Sequence, residues 1–157
     1  MGRRLGFHSK IMLRRRYLPG VLVLAASLCT PLVRAQDSIQ AIGAQGEQLE
    51  REGRPAEAAE AYQRILALDP KSIAALNHLG ALYVRQDQIA KGVQFYQRAL
   101  GISPLDFGTN LNLGIAYLKA QDYKRAVAPL QQAVQANPTN TQACQLLALS
   151  FVGQEDY

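Results

Sequence analysis

The chain has 157 residues, 48% of them hydrophobic and 18% charged, with a formal charge of +5. The charge is uneven: residues 1–35 hold seven basic side chains and no acid, which leaves ten basic against twelve acidic residues after position 35. The basic balance therefore belongs to the first segment and argues for no nucleic-acid partner, while the 122 residues that follow leave room for one domain.

The first 35 residues read as a secretory signal peptide. A basic stretch ends at Arg16, an apolar run Val21–Cys29 follows between Pro19 and Pro31, and Val33-Arg34-Ala35 supplies a small-x-small cleavage site before Gln36. The run is too short to span a bilayer, and the alternative is an uncleaved membrane anchor. Arg14-Arg15-Arg16-Tyr17-Leu18 resembles a twin-arginine export signal but lacks the preceding Ser or Thr. Ala26-Ser27-Leu28-Cys29 resembles a lipoprotein box with Leu28 where a small residue is wanted. The expectation is an exported chain, periplasmic or secreted. Cleavage removes Cys29 and leaves Cys144 alone, so no internal disulfide is expected. Cys144 falls on an apolar helix face, where a buried small hydrophobe is the expected role.

From position 39 onward the sequence repeats every 34 residues. Pro70, Pro104 and Pro138 are in register, as are Gly46, Gly80, Gly114 and Ala148. Leu49, Tyr83, Tyr117 and Phe151 follow three positions later; Ala58, Gly92 and Ala126, then Tyr62, Tyr96 and Leu130, then Ile65, Ala99 and Ala133 continue the pattern. Such self-similarity means stacked supersecondary units. The units fall at about 39–72, 73–106 and 107–140, with a partial fourth at 141–157.

Each unit reads as two helices and a tight turn. In the second, Leu76, Leu79, Gly80 and Tyr83 share one face by the 3-and-4 rule. Asp87 is the expected N-cap of the next helix, Ile89 to Ile102, which lines up Gly92, Tyr96 and Ala99. Pro104 blocks continuation. The third unit copies this with Leu113, Gly114, Tyr117, Asp122, Ala126, Leu130 and Pro138. Small residues at the Gly80/Gly114 and Gly92/Ala126 columns let paired helices approach closely. Pro129 should bend the second helix of this unit. Gly43 and Gly46 make the first helix the least stable, each costing up to about 1 kcal/mol.

The last helix, from Thr141 to about Gly153, is apolar nearly all round, whereas a terminal helix should have a polar outer face. It therefore expects cover from a continuation of the array, a partner or a second copy. Self-association through it predicts oligomers that Leu149→Glu abolishes.

The pattern Leu79-Gly80-x-x-Tyr83, Gly92-x-x-x-Tyr96-x-x-Ala99 and Pro104 resembles the tetratricopeptide repeat over residues 39–157. The resemblance implies an all-α right-handed superhelical solenoid whose concave face is lined by the first helix of each repeat. The column often held by Trp reads Ile42, Leu76, Asn110 and Cys144, and Gln45 replaces the usual leucine. By the same resemblance the inward-facing positions are Gln40, Gly43, Ala44, Glu47, Glu50 and Arg51; then Ala74, Asn77, His78, Ala81, Val84 and Arg85; then Gly108, Leu111, Asn112, Ile115, Leu118 and Lys119. The half-repeat adds Gln142, Gln145, Leu146, Leu149 and Val152. The candidate peptide groove is Asn77, His78, Val84, Leu111, Asn112, Ile115, Leu118, Leu146 and Leu149, suited to an extended peptide or helix with hydrophobic anchors. Packing against further repeats is the competing role for its apolar members.

The cationic clamp with which some members of the family grip chaperone C-termini is absent: the matching positions are Gly43, Glu47, His78, Gly108 and Asn112. Asn112, and His78 at the same repeat position, resemble the asparagine ladder of some superhelices. His78 reads as a packed or solvated groove residue, with no nucleophile placed to use it. Glu47–Arg51 and Glu60–Arg64 read as solvated i,i+4 pairs. Neither metal-ligand spacing nor a phosphate-cradling glycine loop occurs, so no cofactor, metal or catalytic residue is expected. The expected function is a protein-binding adaptor in the cell envelope; the alternative is the recognition arm of a longer protein, with an enzyme domain among the options.

Overall fold

The computed structural model describes residues 38–155. Among them lie seven helices: α1 (residues 38–51), α2 (Pro55–Leu68), α3 (Ile73–Arg85), α4 (Ile89–Ile102), α5 (Phe107–Lys119), α6 (Tyr123–Ala136) and α7 (Thr141–Glu155). No strand occurs among the described residues, and the architecture is an α-solenoid of helical repeats. The leader, with its apolar run and its cleavage site at Ala35 and Gln36, lies outside the described residues, as does Tyr157.

The 34-residue period governs how helices start and stop as well as what they bury. Ser72, Asp106 and Asn140 are one register apart and cap α3, α5 and α7: their side-chain oxygens accept from the amides of Ala75 (3.4 Å), Thr109 (2.8 Å) and Ala143 (2.8 Å). Each satisfies an amide that the first turn leaves without a partner. At the other end, α1, α3 and α5 each close on a left-handed residue: Gly53 at φ +72, Asp87 at +64 and Gln121 at +58. Two turn amides fold back each time, as with Asp87 onto the Val84 carbonyl and Gln88 onto that of Tyr83, the double bond of a Schellman ending.

This corrects the role expected of Asp87. It terminates α3 rather than starting α4, whose N-cap is Gln88, with no capping bond from its side chain. The true partner column is one residue later, where Asp122 caps α6 and accepts from the Arg125 amide at 2.9 Å. At the same position of the first repeat stands Arg54, and α2 begins instead with Pro55, whose missing N–H costs nothing there.

Within each repeat a glycine of the first helix seats a large side chain of the second. A Cβ on Gly46 would stand 2.8 Å from the Tyr62 ring, one on Gly80 2.5 Å from that of Tyr96, and one on Gly114 2.4 Å from Leu130. Tyr62, Tyr96 and Leu130 are accordingly buried, as are Ala58, Ala99, Ala126 and Ala133. Leu79, Tyr83, Leu113 and Tyr117 fill the layers between, while Pro104 and Pro138 sit exposed in the loops that divide repeats. Two apolar clusters result, one around Tyr62 and Leu79 and one around Tyr96 and Leu130. Tyr83 of the first stacks on Phe95, with ring centroids 5.4 Å apart. Helix α6 passes through the buried Pro129 as one element of 14 residues.

The column Leu76, Asn110 and Cys144 behaves differently in each repeat. Leu76 is fully buried, and Asn110 is buried with its amide donating to the carbonyls of Pro104 (2.9 Å) and Asp106 (3.0 Å). Cys144 is exposed, contrary to the small-hydrophobe role expected of it, because no described helix lies over that side of α7. No described helix is long and apolar enough to cross a membrane.

Candidate functional site

The first helices of the repeats, α1, α3 and α5, line a shallow cleft of about 340 Å³ walled by Glu50, Ala74, Asn77, His78, Ala81, Arg85 and Asn112. A neighbouring cleft of about 310 Å³ continues it toward α1 between Gln40, Gly43, Ala44, Glu47 and Ala75. The floor is small because positions 74 and 81 are alanines; the walls are polar.

Glu50, in the last turn of α1, organises the polar wall. Its Oε1 accepts from the Tyr62 hydroxyl at 2.8 Å and lies 3.0 Å from His78 Nδ1, and its Oε2 pairs with the Arg85 guanidinium. The His78 ring stacks on Tyr62 at 4.5 Å, nearly parallel. Partial burial works to raise the Glu50 pKa, but the hydrogen bonds from Tyr62, Arg85 and His78, with the charge of Arg85, outweigh it and hold the carboxyl below its usual value. Burial first, then the bond to Glu50, pushes the Tyr62 phenol well above its usual range. The cluster ties α1 and α2 to α3 as a latch between repeats.

The same connection recurs one repeat on. Glu50 and Arg85 are 35 residues apart, and so are Val84 and Lys119, whose Nζ donates to the Val84 carbonyl at 2.6 Å and pairs with Asp87 at 3.4 Å. Between them, Asn77 Nδ2 donates to Thr109 Oγ1 at 2.8 Å, while Thr109, fully buried on α5, donates onward to Asp106 at 2.6 Å. Asn77 Oδ1 is buried without a partner. The polar groups of α3 thus hold the superhelix together as much as they face the cleft.

The residues expected along the groove fall into three classes. Asn77, His78 and Asn112 line the cleft. Val84 and Leu111 are buried, Val84 against Gly92, and present little surface. Ile115, Leu118 and Leu146 are half-buried, and Leu149 is exposed, so the surface opens and becomes apolar toward α7. Arg51 bonds Gln48 through two of its nitrogens. Sequence reasoning missed the latch: Glu50 and Arg85 were both on inward positions of successive repeats, but their meeting depends on the rotation between repeats. Among the described residues no group of three or more His, Cys, Asp or Glu is placed to hold a metal ion.

A family model described as tetratricopeptide repeat matches residues 44–107 and 110–157. No curated protein sequence matches the chain. Solved structures share the fold. The first tetratricopeptide domain of Spaghetti (RPAP3), bound to an HSP90 peptide SRMEEVD, aligns at a TM-score of 0.72 and 16% identity, covering 76% of this chain and 94% of that one. MamA aligns at 0.69 and 20%, covering 78% and 68%. An O-GlcNAc transferase mutant from Thermobaculum terrenum aligns at 0.69 and 22%, covering 74% of this chain; this chain spans about a fifth of that protein, 22%.

Proposed function

The chain belongs to the tetratricopeptide repeat family, and from that premise we propose that it is a non-catalytic scaffold that holds an extended segment of a partner protein in the cleft across α1, α3 and α5. The observation that carries this is the cleft itself: a floor of Ala74 and Ala81 leaves room for a peptide backbone, and Asn77, His78 and Asn112 stand on its walls. Leu118, Leu146 and Leu149 continue the surface as apolar anchors.

The proposed partner is not an acidic peptide like the HSP90 peptide SRMEEVD bound to RPAP3. The Arg85 charge is met by Glu50 and that of Lys119 by Asp87, and positions 43, 47 and 108 hold Gly, Glu and Gly. At Arg85 and Lys119 a carboxylate ligand would have to displace a carboxylate already in place.

Selection from a random peptide library against the full chain tests the reading. Peptides that bind should lose at least about tenfold in affinity when Ala81→Arg fills the floor, an obstruction worth at least 1.4 kcal/mol, and should weaken with Asn112→Ala. Binders indifferent to both variants rule out this cleft.

We place this activity outside the cytoplasm on the strength of the leader and its small-x-small site at Ala35. The second reading, an N-terminal recognition arm of a larger protein, takes its support from the transferase, of which the match covers 22%. The intact mass of the protein recovered from its source cells separates them. A mass matching residues 36–157 supports the exported adaptor, and a heavier species supports the arm.

A further inference from the structure

Between α1 and α3 the cleft carries charge of one sign. Ile39, Ala44, Ile65 and Ala74 give it apolar surface, Glu47 and His78 line it as well, and no Lys or Arg does. Glu47 has no ion pair among the described residues. The sequence offers it Arg51 one turn on, but Arg51 directs two nitrogens at Gln48 Oε1, at 3.2 and 2.8 Å. The Glu47 side chain is exposed, and its field reaches the cleft: behind burial and Glu50, it is a further cause of the raised Tyr62 phenol. The same register reads Ala81 and Ile115 in α3 and α5, so this charge belongs to the α1 end alone.

His78 adds an acceptor. Its Nδ1 lies 3.0 Å from Glu50 Oε1, and an ionised carboxylate can only accept. In the neutral ring the proton therefore sits on Nδ1, which leaves Nε2 as a lone pair. Nε2 has no hydrogen-bond partner among the described residues. The ring stacks on Tyr62 at 4.5 Å, so stacking and the Glu50 bond together hold that acceptor in one orientation. An unpaired carboxylate, a fixed imidazole acceptor and apolar surface beside them match a long basic side chain: a cationic head, N–H groups to donate, and a methylene stem that packs on apolar groups.

We propose that the partner segment places a lysine or arginine between α1 and α3, its cation against Glu47 and one N–H donating to His78 Nε2. This rests on the cleft reading above and adds the chemistry of the partner, a segment with a basic residue at its α1 end. Charge complementarity selects that occupant: an acidic residue would meet the unpaired Glu47, and an apolar one would leave both acceptors facing no donor.

The probes are peptides selected from a random library against the full chain. Those that depend on Ala81 and Asn112 should share a Lys or Arg at one position. Glu47→Gln should weaken them about threefold to tenfold and Glu47→Lys more than about tenfold. Changing the shared basic residue to Glu should restore binding to the Glu47→Lys chain and not to the parent. Trimethyl-lysine at that position keeps the charge and has no N–H, so it should bind several-fold more weakly than lysine. Because position 47 is exposed and without an ion pair, the circular dichroism and urea midpoints of both variants should match the parent. Cleft binders with no shared basic position, binders indifferent to Glu47→Lys, no rescue by the reversed pair, or equal affinity for lysine and trimethyl-lysine would overturn the proposal and leave the cleft reading standing. Peptides indifferent to both Ala81→Arg and Asn112→Ala sink the two together.

Discussion

Gly80→Ala is the sharpest test of how the repeats are packed, because two opposing effects have calculable sizes. Replacing a glycine by alanine inside a helix gains about 0.8–1.0 kcal/mol from backbone entropy. At Gly80, however, the new methyl would lie 2.5 Å from Tyr96 Cε1 and 2.8 Å from its Cδ1 and Cζ. The Tyr96 ring is only 2% exposed and rigid, so it cannot swing aside without moving its neighbours. Overpacking of this kind costs about 1–3 kcal/mol, and the net expectation is a loss on the order of 1 kcal/mol. Gly43→Ala is the matched control: the nearest side-chain atom, Ile65 Cδ1, is 3.8 Å from the added Cβ, so the gain of about 1 kcal/mol should survive. With a urea m-value of about 1–3 kcal/mol/M, the two variants should differ in midpoint by roughly 1 M, on opposite sides of the parent, when unfolding is followed by far-ultraviolet circular dichroism. Tyr96→Val deletes the ring atoms that clash, so Gly80→Ala made on that background should turn from destabilising to neutral or better. Equal losses in both backgrounds, or a gain from Gly80→Ala alone, would show that Tyr96 is not what Gly80 makes room for.

Gln121→Gly should raise stability by about 0.5–1 kcal/mol in urea titrations, since φ +58 strains a side-chain-bearing residue. Asp87→Gly should gain less, because it also gives up the pairing with Lys119. The Glu50 carboxyl is held below its ordinary 4.5, so its contribution is complete above that pH and drains away as pH falls through the lower folded value. Glu50→Gln should therefore flatten the loss of thermal stability below pH 4.5, and an unchanged acid limb would mean that the latch contributes nothing. Burial drives the Tyr96 phenol up to about 12, so its contribution is whole below 10 and is lost as pH rises through 12. Spectrophotometric titration should show two phenols, Tyr62 and Tyr96, ionising only well above pH 10 or as the chain unfolds.

Periodicity made most of the architecture readable, because each repeat solves the same packing problem and leaves the same residues in the same columns. Gly46, Gly80 and Gly114 announced the close approach that Tyr62, Tyr96 and Leu130 occupy. Capping was misread by one residue at Asp87: a carboxylate just before a helix looks like an N-cap, and only the backbone shows that the preceding helix still claims it as its left-handed end. Cys144 was misread for a different reason. Its column predicts burial, but burial belongs to the pair of helices, and α7 has no described second helix beside it.

The 34-residue register, the helix order and the small-to-large seats follow from the sequence alone, since they rest on contacts made within one repeat or between adjacent ones in a fixed pattern. The Glu50, Tyr62, His78 and Arg85 latch and the tie from Asn77 to Thr109 were decided by the tertiary structure. These depend on the rotation between successive repeats, which sets which inward positions meet across 28 to 35 residues and which no single repeat encodes.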